Sequence, residues 1–251
     1  MGHHKKPHTP QCPTAVSRIM LKYFISLFLV ASPAWSAQML ELNFLDKEPG
    51  AQGTPMRVLI TDRFMRIDNG QDQDDFLMMD RMKKRVSSVT HENREILQID
   101  AGVVSMVKPA KWDVHEEIAE SSPPSLGKSA KQVSIYVNGV MCTKITAMEG
   151  FLPDAAAAFY SYNETLSEMQ AQTFMATPPE LQNDCDLAQN VFEYGREVKY
   201  GLPLEVVYRN GRTRHIVGYQ TRDVEAQLFT LPKQYRTLNM TNIRGNSGEN
   251  D

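Results

Sequence analysis

The sequence predicts an α+β fold in which a two-helix insert lies over a curved antiparallel sheet. Three observations carry this expectation. Between residues 38 and 99, short apolar segments of alternating polarity recur at roughly ten-residue spacing, the rhythm of an antiparallel meander and not of βαβ units. Residues 154–174 instead repeat apolar side chains at three- and four-residue steps, the helical period. Alternation resumes after Gly201, so strand-like sequence flanks the stretch 141–201 on both sides, with Cys142 and Cys185 near its ends.

Ahead of the sheet, residues 1–36 hold no Asp or Glu and four basic residues, Lys5, Lys6, Arg18 and Lys22. An apolar run over 19–30, interrupted by Lys22, Tyr23 and Ser26, leads into Ala31-Ser32-Pro33-Ala34-Trp35-Ser36-Ala37. A basic stretch, a short apolar stretch and small residues make a cleaved secretory signal peptide. The run is shorter than the about 20 residues of a membrane-spanning helix. Cleavage after Ser36 sets Ala34 and Ser36 at the two positions that need small residues, whereas cleavage after Ala37 sets Trp35 at one of them. Met20 is an alternative start to Met1. No cysteine lies directly after the apolar run, so the expected product is periplasmic and not lipid-anchored. The full chain has a formal charge of −3; the four leader cations removed, 23 basic residues face 30 acidic ones, a net −7. That argues against nucleic acid as partner and against a basic membrane-binding patch. The expected organisation is one domain over 37–238 and a polar, flexible tail over 239–251.

Residues 38–45 alternate Leu40, Leu42 and Phe44 with Glu41 and Asn43, a half-buried first strand. Pro49, Gly50 and Gly53 turn the chain. Residues 56–67 read as one long strand; Met56, Val58, Ile60 and Phe64 share a parity that Met65 and Ile67 break, which a bulge near Asp62-Arg63 reconciles. Short strands follow at 76–79, 85–90 and 95–99. Residues 103–118 give a mixed signal, and 120–131, rich in Ser, Pro and Lys, reads as a loop. Residues 133–137 and 140–148 flank Asn138-Gly139, a hairpin with a type I′ turn.

The insert has two expected helices. In 154–174, Ala155, Phe159, Tyr162, Leu166, Met169 and Thr173 form one stripe, and Pro153 suits the first turn. In 178–194, Thr177 is the expected N-cap, Pro178 the first helical residue and Glu180 the partner in a capping box. Leu181, Cys185, Ala188 and Phe192 share one face, which points Cys185 at the sheet. A disulfide Cys142–Cys185 is the simple reading in an exported chain, with a metal pair or a reactive thiol as alternatives. Beyond Gly201, Leu204, Val206 and Tyr208 alternate, Asn210-Gly211 suggests a second I′ turn, and strands are expected at 216–219 and 223–229.

Signatures of chemistry are sparse. His91, His115 and His215 fall in three separate segments with no metal spacing, and no nucleophile elbow, phosphate loop or dinucleotide glycine pattern occurs. Asp72-Gln73-Asp74-Asp75 lacks the glycine and later glutamate of a calcium loop. Met78, Met79 and Met82 are the densest methionine group, open to three readings: core, lining for an apolar ligand, or copper thioethers. The expectation is therefore a non-enzyme without metal or cofactor.

Gly201-Leu202-Pro203-Leu204 leading into a hairpin, and the closing Leu228-Phe229-x-Leu231-Pro232-x-x-Tyr235, resemble an uncharacterised family of bacterial periplasmic proteins similar to the LolA/LolB-like lipoprotein-carrier superfamily. The resemblance implies an unclosed half-barrel whose concave apolar face shelters acyl chains beneath helices. Members of that superfamily place a helix before the first strand, whereas strand-like sequence here begins close to Ser36, so the insert supplies the lid. The function expected on this basis is a soluble, monomeric carrier enclosing a lipid or acyl chain without stable membrane insertion. The expected lining is Val58, Ile60, Phe64, Met78, Phe159, Tyr162, Leu166 and Phe192. The alternative is a non-enzymatic envelope protein-interaction factor with a filled core.

Overall fold

The structure, a computed structural model, describes residues 37–121 and 130–239. The expected leader, most of the expected 120–131 loop and the tail from 240 lie outside the described residues.

Among the described residues, twelve strands form one curved, unclosed sheet. They are β1 (Gln38–Lys47), β2 (Thr54–Ile60), β3 (Phe64–Asp68), β4 (Phe76–Asp80), β5 (Arg85–Thr90), β6 (Glu95–Asp100), β7 (Val114–Ser121), β8 (Ala130–Val137), β9 (Val140–Met148), β10 (Pro203–Tyr208), β11 (Thr213–Asp223) and β12 (Arg236–Asn239). Their order is β12-β6-β5-β4-β3-β2-β1-β11-β10-β9-β8-β7. Two antiparallel meanders thus meet where β1 pairs with β11.

The sheet is mixed and not purely antiparallel, because β12 runs parallel to β6. A parallel neighbour needs a crossover, and residues 224–235 supply it. This stretch, expected to begin as a strand, instead leaves β11 through a 3₁₀ turn at Ala226–Phe229 and crosses the outer face of the first meander. Leu228 and Phe229 are buried there against Met39, Leu59, Phe76, Met78, Val89 and Ile96. Arg66, itself buried, donates to the Leu228 carbonyl at 2.8 Å and to Asp68 at 2.6 Å, and lies 3.9 Å from the Phe76 ring centre.

The parity break in 56–67 marks a hairpin and not a bulge. Ile60 pairs with Met65. The Phe64 N–H donates to the Thr61 hydroxyl at 2.8 Å, and the Thr61 N–H to the Phe64 carbonyl at 2.8 Å. Reversal at Thr61 keeps Ile60 and Met65 on the inner face and sends Phe64 to the outer one.

At the β8–β9 hairpin, Asn138 and Gly139 have φ of 51° and 75°, the two positive angles of a type I′ turn. The Asn210-Gly211 turn differs. Only Gly211 is left-handed (φ 83°), and the Tyr208 N–H donates to the Arg212 carbonyl, a three-residue turn closed by a glycine bulge.

The insert's first helix, α1 (Pro153–Ala176), packs the expected stripe from Ala155 to Met169 on the core, leaves Thr173 exposed, and carries Pro153 in its first turn. Fully buried Ala155 and Ala158 let it approach the inner face closely, over Leu42, Val58, Met65, Met79, Val86 and Ile99. Gly201 (φ 115°) closes the insert against Phe151; a Cβ there would lie 2.8 Å from both the Met148 carbonyl and the Phe151 nitrogen.

The second helix departs from expectation. Thr177 ends α1, its hydroxyl donating to the Thr173 carbonyl at 2.8 Å, instead of capping a new helix. After a 3₁₀ turn at Pro179–Leu181, the cap is Asn183, whose Oδ1 accepts the Asp186 N–H at 2.8 Å. The helix α2 (Asp184–Leu187) then widens into a π turn over Ala188–Phe192. Leu181 is 67% exposed and off the inward face, which holds Cys185, Ala188 and Val191. Cys142 and Cys185 are joined as a disulfide with Cα atoms 5.2 Å apart, tying α2 to β9.

Candidate functional site

Where the insert spans the β1–β11 seam it does not pack down. A cleft of about 810 Å³ remains. One wall, from β1 to β4, is apolar: Phe44, Met56, Ile67 and Leu77, with Phe159 and Tyr162 of α1 above. The other wall is polar. It holds Arg209 and Asn210 of the β10–β11 turn, Arg212 and Arg214 beside it, Tyr208 of β10, and Asp186, Gln189, Asn190 and Glu197 of the insert.

Strand parity places the arginines. Phe44 pairs with Ile216 and Asp46 with Arg214, so the inward face of β1 that begins with Leu40 and Leu42 ends in a carboxylate. Asp46 accepts Nε and Nη2 of Arg212, each at 3.0 Å, and Nε and Nη2 of Arg214, at 3.1 and 2.8 Å. Burial pushes its carboxyl up, but these four bonds outweigh that and hold it below the usual range. The Arg212 guanidinium also lies 4.9 Å from the Tyr208 ring centre. Burial raises the Tyr208 phenol well above its ordinary value, and the nearby Glu197 adds to this.

Glu197 is aimed by its neighbours. Glu116 on β7 accepts from Arg196 at 2.9 Å, Lys199 at 2.9 Å and Tyr200 at 2.7 Å, which pins the 3₁₀ turn Arg196–Val198 to the sheet and leaves Glu197 facing the cleft. Part of its surface borders the void, yet the carboxyl sits deep behind protein. Desolvation pushes it up to about 7, opposed by Arg214 and Arg212, and Gln189 donates to it at 2.6 Å. The disulfide sulfurs close one side.

Of the eight lining residues expected, Phe159 and Tyr162 border the cleft. Val58, Ile60 and Leu166 belong to the packed core beneath α1. Phe64 and Met78 are on the opposite face against Phe229 and Leu228, and Phe192 packs on Trp112 with ring centres 5.6 Å apart. Met79 faces inward while Met82 is 79% exposed, so the three clustered methionines point three ways. Asp72 pairs with Arg57, Asp74 with Asn69 and Asp75 with His91. Among the described residues no group of three His, Cys, Asp or Glu is placed to hold a metal. No described helix is long and apolar enough to cross a membrane.

Asp46, Glu197, Tyr208, Arg212 and Arg214 were not among the expected site residues. The signal available was Arg212-x-Arg214 continuing the inward parity of Ile216.

No protein-family model matches the chain, and no curated protein matches it. Among solved structures, an uncharacterized conserved protein from Thermus thermophilus is similar at 11% identity with a TM-score of 0.42, over 82% of this chain and 91% of that one. PNGF-II, in two crystal forms, is similar at 13% and 12% identity with a TM-score of 0.42, over 85% and 83% of this chain; the match spans 33% of the PNGF-II chain in each.

Proposed function

We propose that this is an exported, periplasmic binding or carrier protein that encloses an amphipathic ligand, a lipid or acyl chain, between the sheet and the insert, and breaks no bond. The cleft carries this reading. Its volume of about 810 Å³ falls in the range of about 300–1,000 Å³ typical of small-molecule sites. An apolar wall facing a polar one suits a ligand with a chain and a head. Each methylene placed against Phe44, Met56 and Ile67 would add about 0.8 kcal/mol before the cost of association. The buried disulfide supports an oxidising compartment. The protein acts as a monomer and needs no metal or cofactor in this reading.

Native mass spectrometry of protein purified from the periplasm, followed by solvent extraction, tests it. The expected result is a mass increment that extraction removes and identifies as an amphiphile. A bare mass, together with no amphiphile binding in titration, refutes it. The alternative, a protein-interaction factor, draws on one observation: beside the cleft, Leu42, Val58, Met65, Met79, Val86 and Ile99 form a buried core beneath α1.

A further inference from the structure

We propose that the head of the ligand is an anion, a carboxylate or a phosphate, received by Arg212 and Arg214 in the cleft with Arg209 at its mouth. This deepens the binding reading above and rests on it.

The arrangement of donors carries the inference. Arg212 and Arg214 are half-buried and share one close carboxylate, Asp46. Glu48, largely in solvent, reaches Arg212 only at 3.7 Å. Two guanidinium groups thus face one tightly held negative charge. Each uses Nε and Nη2 on Asp46, and among the described residues the Nη1 groups find no acceptor. Arg209 lines the same cleft, is exposed, and pairs with no carboxylate among the described residues. Guanidinium groups bind carboxylate and phosphate through paired, charge-assisted hydrogen bonds.

The carboxylates of the cleft offer a cationic head fewer open acceptors than the guanidinium groups offer an anion donors. Asp46 accepts four hydrogen bonds, which fills the about four lone-pair sites of a carboxylate. Asp186, on the insert's part of the same polar wall, accepts from the Asn183 amide. Glu197, on the polar wall with the arginines, is held up to about 7 by burial. When protonated it offers an O–H donor to an anion in place of a competing charge. An anion between Arg212, Arg214 and Glu197 would leave the chain of the ligand free to run toward Phe44 and Met56.

The test compares four amphiphiles of one chain length on the purified, delipidated protein: dodecanoate, dodecyl phosphate, dodecyl maltoside and dodecyltrimethylammonium. Each is titrated calorimetrically below its micelle concentration. Both anions should bind about tenfold or more tightly than the uncharged and cationic probes. The better of the two anions separates a fatty-acid source from a phosphorylated one. Arg209→Gln alters an exposed side chain outside the fold's ion pairs, and Arg212→Gln leaves Asp46 held by Arg214. Each should weaken the anions about tenfold and leave the maltoside unchanged. Equal affinity for all four heads, or anion affinity untouched by both substitutions, overturns the anionic head while the binding function stands. No binding of any probe overturns the binding function and the head with it.

Discussion

Replacing Cys142 and Cys185 together by alanine removes the staple between β9 and α2. The bond closes a 43-residue loop. Chain entropy for a loop of that length gives about 4 kcal/mol at 25 °C. Both sulfurs are buried against Val137, Ala188, Trp112 and Val114, and their loss adds roughly 1 kcal/mol of burial. Other ties remain, including Asn138 to Asp184 at 2.7 Å and Lys84 to Glu164 at 2.8 Å, but both pairs are largely exposed and solvent screens them, so they do not replace the staple. The variant should therefore lose about 4–5 kcal/mol in urea unfolding, with an m-value no lower than the wild type's, and its melting point should fall by roughly 8–20 °C. The wild-type protein in reductant keeps both sulfurs and should show only the chain-entropy part, about 4 kcal/mol. A change under about 1 kcal/mol, or two free thiols in wild-type protein denatured without reductant, refutes the reasoning.

Two further perturbations probe the outer face and the cleft. Arg66→Met removes the donor to the Leu228 carbonyl and one of the two arginines on buried Asp68, which keeps Arg57 at 2.8 Å; the expected loss is roughly 3 kcal/mol, with faster proteolysis within 224–235, and unchanged stability and cleavage would contradict the clamp. Glu197→Gln tests the buried carboxyl through pH. Its folded value of about 7 lies above the ordinary value of 4.5, so the folded state binds the extra proton between them. That stabilising contribution is complete below about pH 4.5 and is lost as pH rises through about 7. Glutamine is neutral throughout, so the variant should gain on the wild type from pH 5 to 8 by on the order of 1–3 kcal/mol, screening by cleft water included; a pH-independent difference in unfolding free energy would count against it.

Much of the sheet is legible because its determinants are local. The alternation of Leu40, Leu42 and Phe44, the left-handed Asn138-Gly139 pair and the stripe through Phe159, Tyr162 and Leu166 each act within a few residues. The errors fall where tertiary contacts decide. Nothing within 56–67 distinguishes a bulge from a tight reversal, since both switch parity; the Thr61 hydroxyl bonded to Phe64 settles it as a reversal. Thr177-Pro178-Pro179-Glu180 fits a capping box on paper, yet Thr177 is already spent closing α1, its N–H donating to the Phe174 carbonyl and its hydroxyl to the Thr173 carbonyl, and the capping passes to Asn183. The motif Leu228-Phe229-x-Leu231-Pro232-x-x-Tyr235 has strand-like composition, but it packs across a sheet face already formed by other strands.

The cleft is less legible than the fold for a related reason. Apolar side chains on an inward parity predict burial, and the structure does bury Val58 and Ile60, with Leu166 packed against them; well-packed side chains then have little surface left to offer a ligand. Space remains where packing fails, at the β1–β11 seam, because Asp46, Arg212 and Arg214 occupy inward positions there and the insert cannot close over charged groups without stranding them. Those residues are about 170 positions apart in sequence, and only the pairing of the first meander with the last hairpin brings them within hydrogen-bond distance. A charge that continues an inward alternation, as Asp46 continues Leu42 and Phe44, is thus the sequence mark of an opening in the core. Its partner is sought on the strand that pairs with it.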